Sequence, residues 1–342
     1  MTFSASGPAS ATSAPDSAGS AGEVAAVTAL AGRIQQSVGR VIVGKDEEIQ
    51  LMLVALLCEG HVLLEDVPGT GKTTLAKALA RSLGCTFNRI QFTPDLLPSD
   101  VTGTSVYNQQ TGQFETRRGP IFSQIVLTDE INRAGPRTQS ALLEAMEERQ
   151  VTIDVDTVPL PRPFMVLATQ NPVELEGTFP LPEAQLDRFL IRFKLGYPSE
   201  QDELDIVNRF NGLNPLAALE PIASAEEIMR AQRAVHNVFV SPAVGRYIVA
   251  VVRSTRSHEA IELGASPRAT LALHRTAQVL AAIKGRDYVL PDDVKRMMLP
   301  VLEHRVILGT RTRLRGRDKA SIIQELAANV PVPVETPVAV PS

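Results

Sequence analysis

Residues His61 to Gly84 read HVLLEDVPGTGKTTLAKALARSLG, and this stretch carries the main clue to the architecture. A short apolar run is followed by a glycine-containing loop and then by a helical pattern that stops at a glycine, which is the order found in phosphate-binding loops. The general loop pattern is G-x-x-x-x-G-K-[ST]. Gly71, Lys72 and Thr73 fit it, whereas Asp66 stands where the first glycine belongs. A residue with a side chain is compatible with that position if its φ angle is negative.

The loop residues have distinct expected roles. Backbone N–H groups at the start of the helix would surround phosphate oxygens, Lys72 would reach the β and γ phosphates, and Thr73 would bind magnesium. The alternative is an ordinary glycine-rich turn between a strand and a helix. The expected nucleotide-binding residues of the loop are Pro68, Gly69, Thr70, Gly71, Lys72, Thr73 and Thr74.

An acidic pair follows a later apolar strand in IVLTDEINRA, where Asp129 and Glu130 stand at the strand end. An aspartate there is placed to bind magnesium directly or through water, and the next carboxylate can polarise the attacking water. Taken alone, such a pair is usually only the start of a solvated loop. Together with the phosphate loop it predicts an ATP-hydrolysing site, with Asp129 as metal ligand and Glu130 as catalytic residue.

Three further polar residues are candidate catalytic groups. Asn171 comes just past the next buried strand in FMVLATQNP, so it could share the attacking water with Glu130; the alternative is a turn-forming asparagine before a proline. Arg268 lies in the first turn of a helix, after a serine cap and a proline. Arg188 precedes the fifth strand, and we expect it at the far end of the sheet, out of reach of its own γ-phosphate. An arginine at the γ-phosphate assists phosphoryl transfer, but an arbitrary arginine more often forms a surface salt bridge.

Apolar strands alternate with helical patterns as far as Pro198, which predicts an α/β domain with a parallel sheet covered on both faces. We expect five strands in the sheet and two hairpins, and after Pro198 only helices. The expected domains are a disordered tail at 1–22, an αβα core with two hairpin insertions at 23–198, a linker and first lid segment at 199–222, an all-helical lid domain at 223–315, and a partly disordered tail at 316–342.

Composition and charge argue against several classes of protein. With 34 basic and 38 acidic residues the formal net charge is −4, which disfavours binding to nucleic acid or membranes by charge alone. The first 22 residues contain no Lys or Arg and no apolar run, unlike a secretory signal, and no apolar run approaches the ~18 residues that span a bilayer. The two cysteines form no C-x-x-C pair and indicate free thiols in a reducing compartment. We therefore expect a cytoplasmic protein.

Several segments together resemble the AAA+ ATPases and, within them, the MoxR family. These segments are LLEDVPGTGKT, DLLPSDVTG, GPIF, DEINRAGPRTQSALLEAMEE, ATQNP, GTFPLPEAQLDRF and GASPRA, and they lie between about Arg40 and Arg305. The family commonly carries an aspartate at the position of Asp66, so the departure from the general loop pattern is a family feature. The resemblance implies an AAA+ phosphate-loop domain with a parallel sheet, followed by an all-helical lid domain.

The resemblance also implies a role for each site residue. Lys72 and Thr73 belong to Walker A, Asp129 and Glu130 belong to Walker B, and Asn171 looks like sensor 1. Val43 and Gly44 of the VIVG segment lie where the family holds the adenine. Arg268 looks like sensor 2 of the lid, and Arg188 looks like the arginine finger that reaches a neighbouring subunit. ATP and Mg²⁺ are the implied cofactors, with the nucleotide in the cleft between the sheet domain and the lid.

The family resemblance further implies a homo-oligomeric ring, expected to be a hexamer, that acts on a protein client in a chaperone-like way. The partner implied is a protein with a von Willebrand factor A domain. The hairpins at about 100–119 and 150–161 resemble family insertions that face the pore or a partner surface. We expect no exposed aromatic pair on either hairpin, and the nearest candidates are Tyr107 and Phe114.

Other functions remain open at this point. A magnesium-chelatase-like motor subunit is the nearest alternative among enzymes. A nucleic-acid remodelling ATPase is disfavoured by the near-neutral charge and by the absence of tryptophan. A non-enzymatic scaffold gated by nucleotide is disfavoured because the set of catalytic residues is complete.

Overall fold

The structure is a computed structural model that describes residues 17–154, 156–171, 177–210 and 214–333. Its helices are α1 Ser17–Gly39, α2 Asp46–Leu57, α3 Lys72–Ser82, α4 Pro98–Thr102, α5 Pro136–Glu148, α6 Glu183–Leu186, α7 Glu200–Phe210, α8 Ala225–Ala234, α9 Pro242–Ser257, α10 Pro267–Ile283, α11 Pro291–Leu302, α12 Thr310–Leu314 and α13 Lys319–Asn329. Its strands are β1 Val62–Glu65, β2 Phe87–Gln91, β3 Gly103–Asn108, β4 Gln113–Arg118, β5 Ile125–Asp129, β6 Gln150–Ile153, β7 Asp156–Pro159, β8 Met165–Gln170, β9 Ile191–Phe193, β10 Ile261–Leu263 and β11 Ile307–Leu308.

Five strands form one parallel sheet in the order β2-β5-β8-β1-β9. The central strands are continuous apolar runs, and β5 is buried at every position. Such runs are expected where helices cover both faces of a sheet, because both sets of alternating side chains then need an apolar environment. The α/β class and the five strands predicted from the sequence are therefore confirmed.

The sheet separates two apolar cores. On one face, strand residues such as Leu64, Leu127 and Leu167 join residues of α1, α2 and α3. On the other face, Leu63 and its neighbours pack against α5 and the hairpin β6–β7. The buried side chains of the lid helices belong to the first of these cores, so the lid is docked on the α1–α3 side of the molecule.

Both predicted hairpins are present as separate two-stranded antiparallel sheets, β3–β4 and β6–β7. The expectation that neither hairpin carries an exposed aromatic pair is wrong. Tyr107 and Phe114 lie directly opposite each other on β3 and β4, with ring centroids 5.3 Å apart in an edge-to-face arrangement. Their exposed fractions are 53% and 74%. The sequence hides this pair because its two members belong to different strands of the hairpin.

The lid differs in one respect from the all-helical prediction, because β10 and β11 form a short antiparallel pair. Strands of three and two residues are too short to show a period in the sequence. No helix among the described residues is both long and apolar enough to cross a membrane.

The predicted tails and linker contain ordered helices. Helix α1 begins at Ser17, inside the predicted N-terminal tail, and α13 lies inside the predicted C-terminal tail. Ile322, Ile323 and Leu326 of α13 are buried, so this helix is part of the lid core. Helix α7 occupies the predicted linker. The remaining tail residues, 1–16 and 334–342, lie outside the described residues.

Candidate functional site

A cavity of about 380 Å³ lies at the carboxyl ends of β1, β5 and β8. Carboxyl ends of parallel strands are the usual place for ligands in such sheets. Nine residues predicted for the site contribute to its lining, and they are Pro68, Gly69, Gly71, Lys72, Thr73, Thr74, Asp129, Glu130 and Asn171. We call this space the phosphate cavity.

Two glycines give the loop its shape. Gly69 and Gly71 have φ angles of +85° and +89°, and a Cβ atom added to either one would meet nothing within 4 Å. These positions therefore require glycine because of the left-handed backbone and not because of crowding. Helix α3 begins directly after the loop at Lys72, so its free N–H groups are available to an anion in the cavity.

Asp66 has a structural role that a glycine could not fill. Its carboxylate accepts hydrogen bonds from the N–H of Val67 at 2.8 Å and from the N–H of Gly196 at 2.6 Å. Gly196 follows β9, the neighbour of β1 in the sheet. The buried carboxylate thus ties the start of the phosphate loop to the segment after β9.

Lys72 lies along the loop and points toward its carbonyl groups. Its Nζ donates to the carbonyl oxygens of Asp66 at 3.1 Å and Val67 at 2.6 Å. Burial lowers the pKa of the Lys72 ammonium, while the carboxylates of Asp66, Asp129 and Glu130 act in the opposite direction. An incoming anion would remove part of this desolvation penalty, because it supplies a charged partner to a partly buried cation.

Asp129 is held on both carboxylate oxygens. Oδ1 accepts a hydrogen bond from the Thr169 hydroxyl at 2.8 Å. Oδ2 accepts from Arg89, whose Nε and Nη2 lie 2.8 and 2.7 Å away. The side chain of Asp129 is only 11% exposed, so it is a positioned, largely buried anion at the floor of the phosphate cavity.

Glu130 has a strained backbone and a restrained carboxylate. Its φ angle is +58°, which is unfavourable for a residue with a side chain. Its N–H donates to the Thr169 hydroxyl at 2.9 Å, and its Oε2 accepts from Gln91 at 2.9 Å and from Arg133 at 3.0 Å. The turn at Glu130 directs the carboxylate toward the cavity, where it can orient a water molecule.

Four residues of this site escaped the sequence reasoning, namely Arg89, Gln91, Thr169 and Gln170. Arg89 and Gln91 are two positions apart on β2, so they share one face of the strand. The spacing of these two residues can be read from the sequence. However, only the pairing of β2 with β5 brings both side chains beside the acidic pair. Thr169 and Gln170 are polar residues at the end of β8, and the Thr169 hydroxyl joins Asp129 to Glu130.

The remaining predicted nucleotide contacts lie beside the phosphate cavity or outside it. Asn171 is 8% exposed and contributes to the lining. The Thr70 hydroxyl donates to the Val67 carbonyl at 3.3 Å, inside the loop itself. Val43 is buried and Gly44 has φ +68°, and both lie in the turn between α1 and α2. Neither of these two residues contributes to the cavity lining.

Arg188 and Arg268 lie together, away from the phosphate cavity. Arg188 Nε is 3.0 Å from Oε2 of Glu147, and Arg268 Nη2 is 2.5 Å from Oε1 of the same carboxylate. The three side chains line a second cavity of about 430 Å³. Leu190 also lines this second cavity, and its N–H donates to the carbonyl of His61 at the start of β1. The phosphate loop follows the other end of that strand. We call the three residues the arginine cluster.

Arg268 thus lies away from the phosphate cavity of its own chain, and its predicted contact with a nucleotide stays a prediction. The lid docks on the α1–α3 side, and α10 consequently begins next to the end of α5. Asp187 reinforces this junction, because its carboxylate accepts hydrogen bonds from Ser266 at 3.0 Å and from Arg305 at 2.6 Å. Every residue that lines the phosphate cavity belongs to the sheet domain. The cavity therefore does not lie in the cleft between the sheet domain and the lid.

Comparison with known proteins agrees with this architecture. The family described as "ATPase family associated with various cellular activities (AAA)" matches residues 61–191, and the AAA lid domain matches residues 253–326. The uncharacterized protein YeaC of Bacillus subtilis is 51% identical over 306 residues, covering 90% of this chain and 96% of its own. Chaperone MoxR1 of Mycobacterium tuberculosis is 48% identical over 280 residues, covering 79% and 74%. A crystal structure from Cytophaga hutchinsonii, classed as an ATPase, is 39% identical with a TM-score of 0.87, covering 93% of this chain and 99% of its own.

The parallel sheet, the phosphate loop and the helical lid define a nucleotide-binding AAA+ ATPase, an enzyme that hydrolyses ATP. Within that class the chain belongs to the MoxR family, as its identity to Chaperone MoxR1 over most of both chains shows. The fold class, the enzymatic activity and the family predicted from the sequence are thereby confirmed.

Proposed function

We propose that this ATPase works as a homo-oligomeric ring, a hexamer, that uses magnesium and ATP to remodel or assemble a client protein. The observation that carries the proposal is the separation of two parts of one catalytic site. The phosphate cavity contains the loop and the acidic pair, and the arginine cluster lies at the opposite end of the sheet. A second copy of the chain can bring its cluster to the first copy's cavity.

The residues of the phosphate cavity suit magnesium and ATP. No group of three or more His, Cys, Asp or Glu side chains in the described part of the chain could hold a metal ion. A metal here would therefore depend on few protein ligands together with phosphate oxygens, which is how Mg²⁺ is usually bound. Thr73 and Asp129 both line the cavity and offer the oxygen ligands that Mg²⁺ prefers. When bound, the ion would neutralise charge on the phosphates.

The protein groups have separable tasks in this scheme. The N–H groups of the loop and Lys72 bind and orient the phosphates. Glu130 orients the attacking water, assisted by Asn171 at the end of β8. The negative charge that develops on the γ-phosphate also needs stabilisation. The two arginines predicted for this role, Arg188 and Arg268, lie elsewhere in the same chain.

Arg188 and Arg268 meet this need from the neighbouring subunit. An arginine supplied from another molecule accelerates phosphoryl transfer because it stabilises charge that forms in the transition state. Both arginines contact Glu147 at the junction between the sheet domain and the lid, where Asp187 binds Ser266 and Arg305. A change in lid angle on hydrolysis would therefore move both arginines together, and this movement would be transmitted to the next subunit.

A mixture of two inactive variants tests the shared site. We expect Glu130→Gln to lack turnover because no water is oriented, and Arg188→Ala to lack it because the neighbour is unassisted. Mixed before assembly, an Arg188→Ala subunit can use the intact Arg188 of a Glu130→Gln neighbour. Random mixing should restore ATP hydrolysis at roughly a quarter of the interfaces of a head-to-tail ring.

The control is a mixture of Glu130→Gln subunits with Lys72→Ala subunits, since each substitution damages the phosphate cavity of its own chain. No hydrolysis should return in that mixture. Equal inactivity of both mixtures would refute the shared site, while full activity of Arg188→Ala by itself would show that Arg188 has no part in catalysis.

The client-directed part of the proposal rests on two independent observations. A close relative is named as a chaperone, and the hairpin β3–β4 presents an exposed aromatic pair suited to contact with another protein. We propose a partner with a von Willebrand factor A domain on the family resemblance alone. A magnesium-chelatase-like motor is the second candidate, and salt-sensitive binding of DNA would favour a nucleic-acid remodeller instead.

A further inference from the structure

Arg89 is a cation inside the phosphate cavity to which no role has yet been given. It lies on β2, an edge strand of the sheet, and contributes to the lining of the cavity. Its Nε and Nη2 contact Oδ2 of Asp129 at 2.8 and 2.7 Å. The same carboxylate is the proposed metal ligand, and its Oδ1 already accepts a hydrogen bond from Thr169, so guanidinium and metal ion would compete most directly for Oδ2.

The two cations cannot both hold that oxygen closely. Two positive charges within about 4 Å repel each other strongly when water is partly excluded, and the Asp129 side chain is 11% exposed. A buried carboxylate without a cation is also unfavourable. In the metal-free protein, Arg89 supplies the cation that the buried carboxylate of Asp129 needs. When a metal ion approaches, the positive charge of Arg89 opposes binding of that ion.

Arg89 is suited to leave the carboxylate. Its side chain is 48% exposed, so the guanidinium can turn to solvent without creating a buried unpaired charge. A fixed structural ion pair between neighbouring strands would be expected away from a ligand cavity, with both partners covered. Here the pair lines the cavity itself.

Arg89 also connects the two acidic residues. Its Nη2 donates to Oε1 of Gln91 at 2.8 Å, and Nε2 of Gln91 donates to Oε2 of Glu130 at 2.9 Å. A continuous chain of hydrogen bonds therefore runs from Asp129 to Glu130. Movement of Arg89 away from Asp129 would remove one of the contacts that orient Gln91, and hence loosen its hold on Glu130.

We infer that Arg89 is a placeholder for the metal ion: it neutralises Asp129 in the metal-free protein and is displaced when metal and nucleotide bind, which also loosens the hold of Gln91 on Glu130. This inference rests on the proposed role of Asp129 as a metal ligand. It makes Arg89 a positioning residue, because it acts through Asp129 and Gln91.

Metal binding measured without turnover tests the inference. Mn²⁺ is titrated into the full-length protein with a non-hydrolysable ATP analogue, and bound ion is followed by electron paramagnetic resonance. Arg89→Gln and Arg89→Met remove the competing charge, and the Mn²⁺ concentration at half-saturation should fall about three- to tenfold. Arg89→Lys keeps a cation and should remain near the wild-type value.

Arg117→Gln is the matched control, since it removes one positive charge from the exposed strand β4 and should leave metal binding unchanged. An unchanged or raised half-saturation concentration in both Arg89→Gln and Arg89→Met overturns the placeholder role. Asp129→Asn separates the two levels of the proposal. If this variant binds Mn²⁺ as tightly as wild type, the metal role of Asp129 fails first; if it binds weakly while the Arg89 variants are unaltered, only the inference fails.

Discussion

At the scale of single residues, Asp66 and Glu130 show how the site departs from simple motif rules. Asp66 replaces a glycine of the general loop, yet it joins the loop to Gly196 through two hydrogen bonds from N–H groups. Glu130 adopts a left-handed backbone that glycine would favour. At Glu130 the side chain therefore has a task that outweighs the backbone preference, whereas Asp66 does not have a positive φ angle.

Asp66 therefore provides a direct test of loop anchoring. Asp66→Gly restores the general motif but leaves the N–H groups of Val67 and Gly196 without acceptors, at a cost of about 1–3 kcal/mol for a buried unsatisfied group. We expect a lower free energy of unfolding and weaker nucleotide binding. Urea denaturation and a fluorescent ATP analogue measure these two quantities.

Asp66→Asn completes the series, because it keeps one acceptor oxygen and replaces the other by a donor. Stability and nucleotide affinity should fall in the order wild type, Asn, Gly. A glycine variant as stable and as tightly binding as wild type would show that the anchor is dispensable.

At the scale of secondary-structure elements, we propose that the hairpin β3–β4 and the arginine cluster face other molecules. Strand β4 is exposed at all of its positions, and both members of the aromatic pair on this hairpin are exposed. The arginine cluster joins α5, the turn before β9 and the start of α10. The hairpin lies outside both the phosphate cavity and the arginine cluster, so partner binding at the hairpin and chemistry can be separated by mutation.

Removal of the aromatic pair should affect the client and not the chemistry. The double variant Tyr107→Ala and Phe114→Ala should hydrolyse ATP at the basal wild-type rate, because neither side chain lines the phosphate cavity. When it is combined with Glu130→Gln as a trap, affinity capture with ATP and Mg²⁺ should recover several-fold less client protein, since exposed aromatic side chains often dominate binding energy.

Val106 and Glu115 offer a matched control, because they form the adjacent cross-strand pair on the opposite face of the same hairpin. Their alanine variants should retain capture. Equal recovery of client by the aromatic variant and by its parent would contradict a docking role for Tyr107 and Phe114.

At the scale of the whole molecule, the phosphate cavity and the arginine cluster lie at opposite ends of one sheet, and we propose that they are the two parts of a shared site. The lid shares a core with α1–α3, so lid and sheet domain are packed together and not merely linked. His61 is part of the same framework. Its Nε2 donates to the carbonyl of Met146, and its Nδ1 accepts from the N–H of Val166, both at 3.0 Å.

His61 makes global stability depend on pH. Burial lowers the pKa of His61 from 6.5 to about 4, so between these values the unfolded chain binds a proton that the folded chain does not. Stability is therefore retained above pH 6.5 and falls as the pH decreases toward 4, by up to about 3 kcal/mol from this group. Buried His304, whose pKa is also lowered by burial, acts in the same direction.

Urea unfolding at a series of pH values checks this expectation. His61→Gln should be less stable than wild type at pH 7, and the difference should shrink as the pH decreases to 4. His236→Gln serves as control because His236 is exposed, and its curve should stay parallel to the wild-type curve. A constant difference between His61→Gln and wild type at all pH values would exclude the titration of His61 as the cause.

The amino-acid sequence alone determined the order of elements, the phosphate loop, the acidic pair and the family. These features are local: apolar runs, helical periods, and the strand and helix around Lys72 can each be read from neighbouring residues. Only the tertiary structure decided which distant segments meet. The strand order brings Arg89 and Gln91 to the acidic pair, and the docking of the lid brings Arg268 to Glu147. The physical reason is that such contacts depend on the pairing of strands and the packing of whole elements, which no local period encodes.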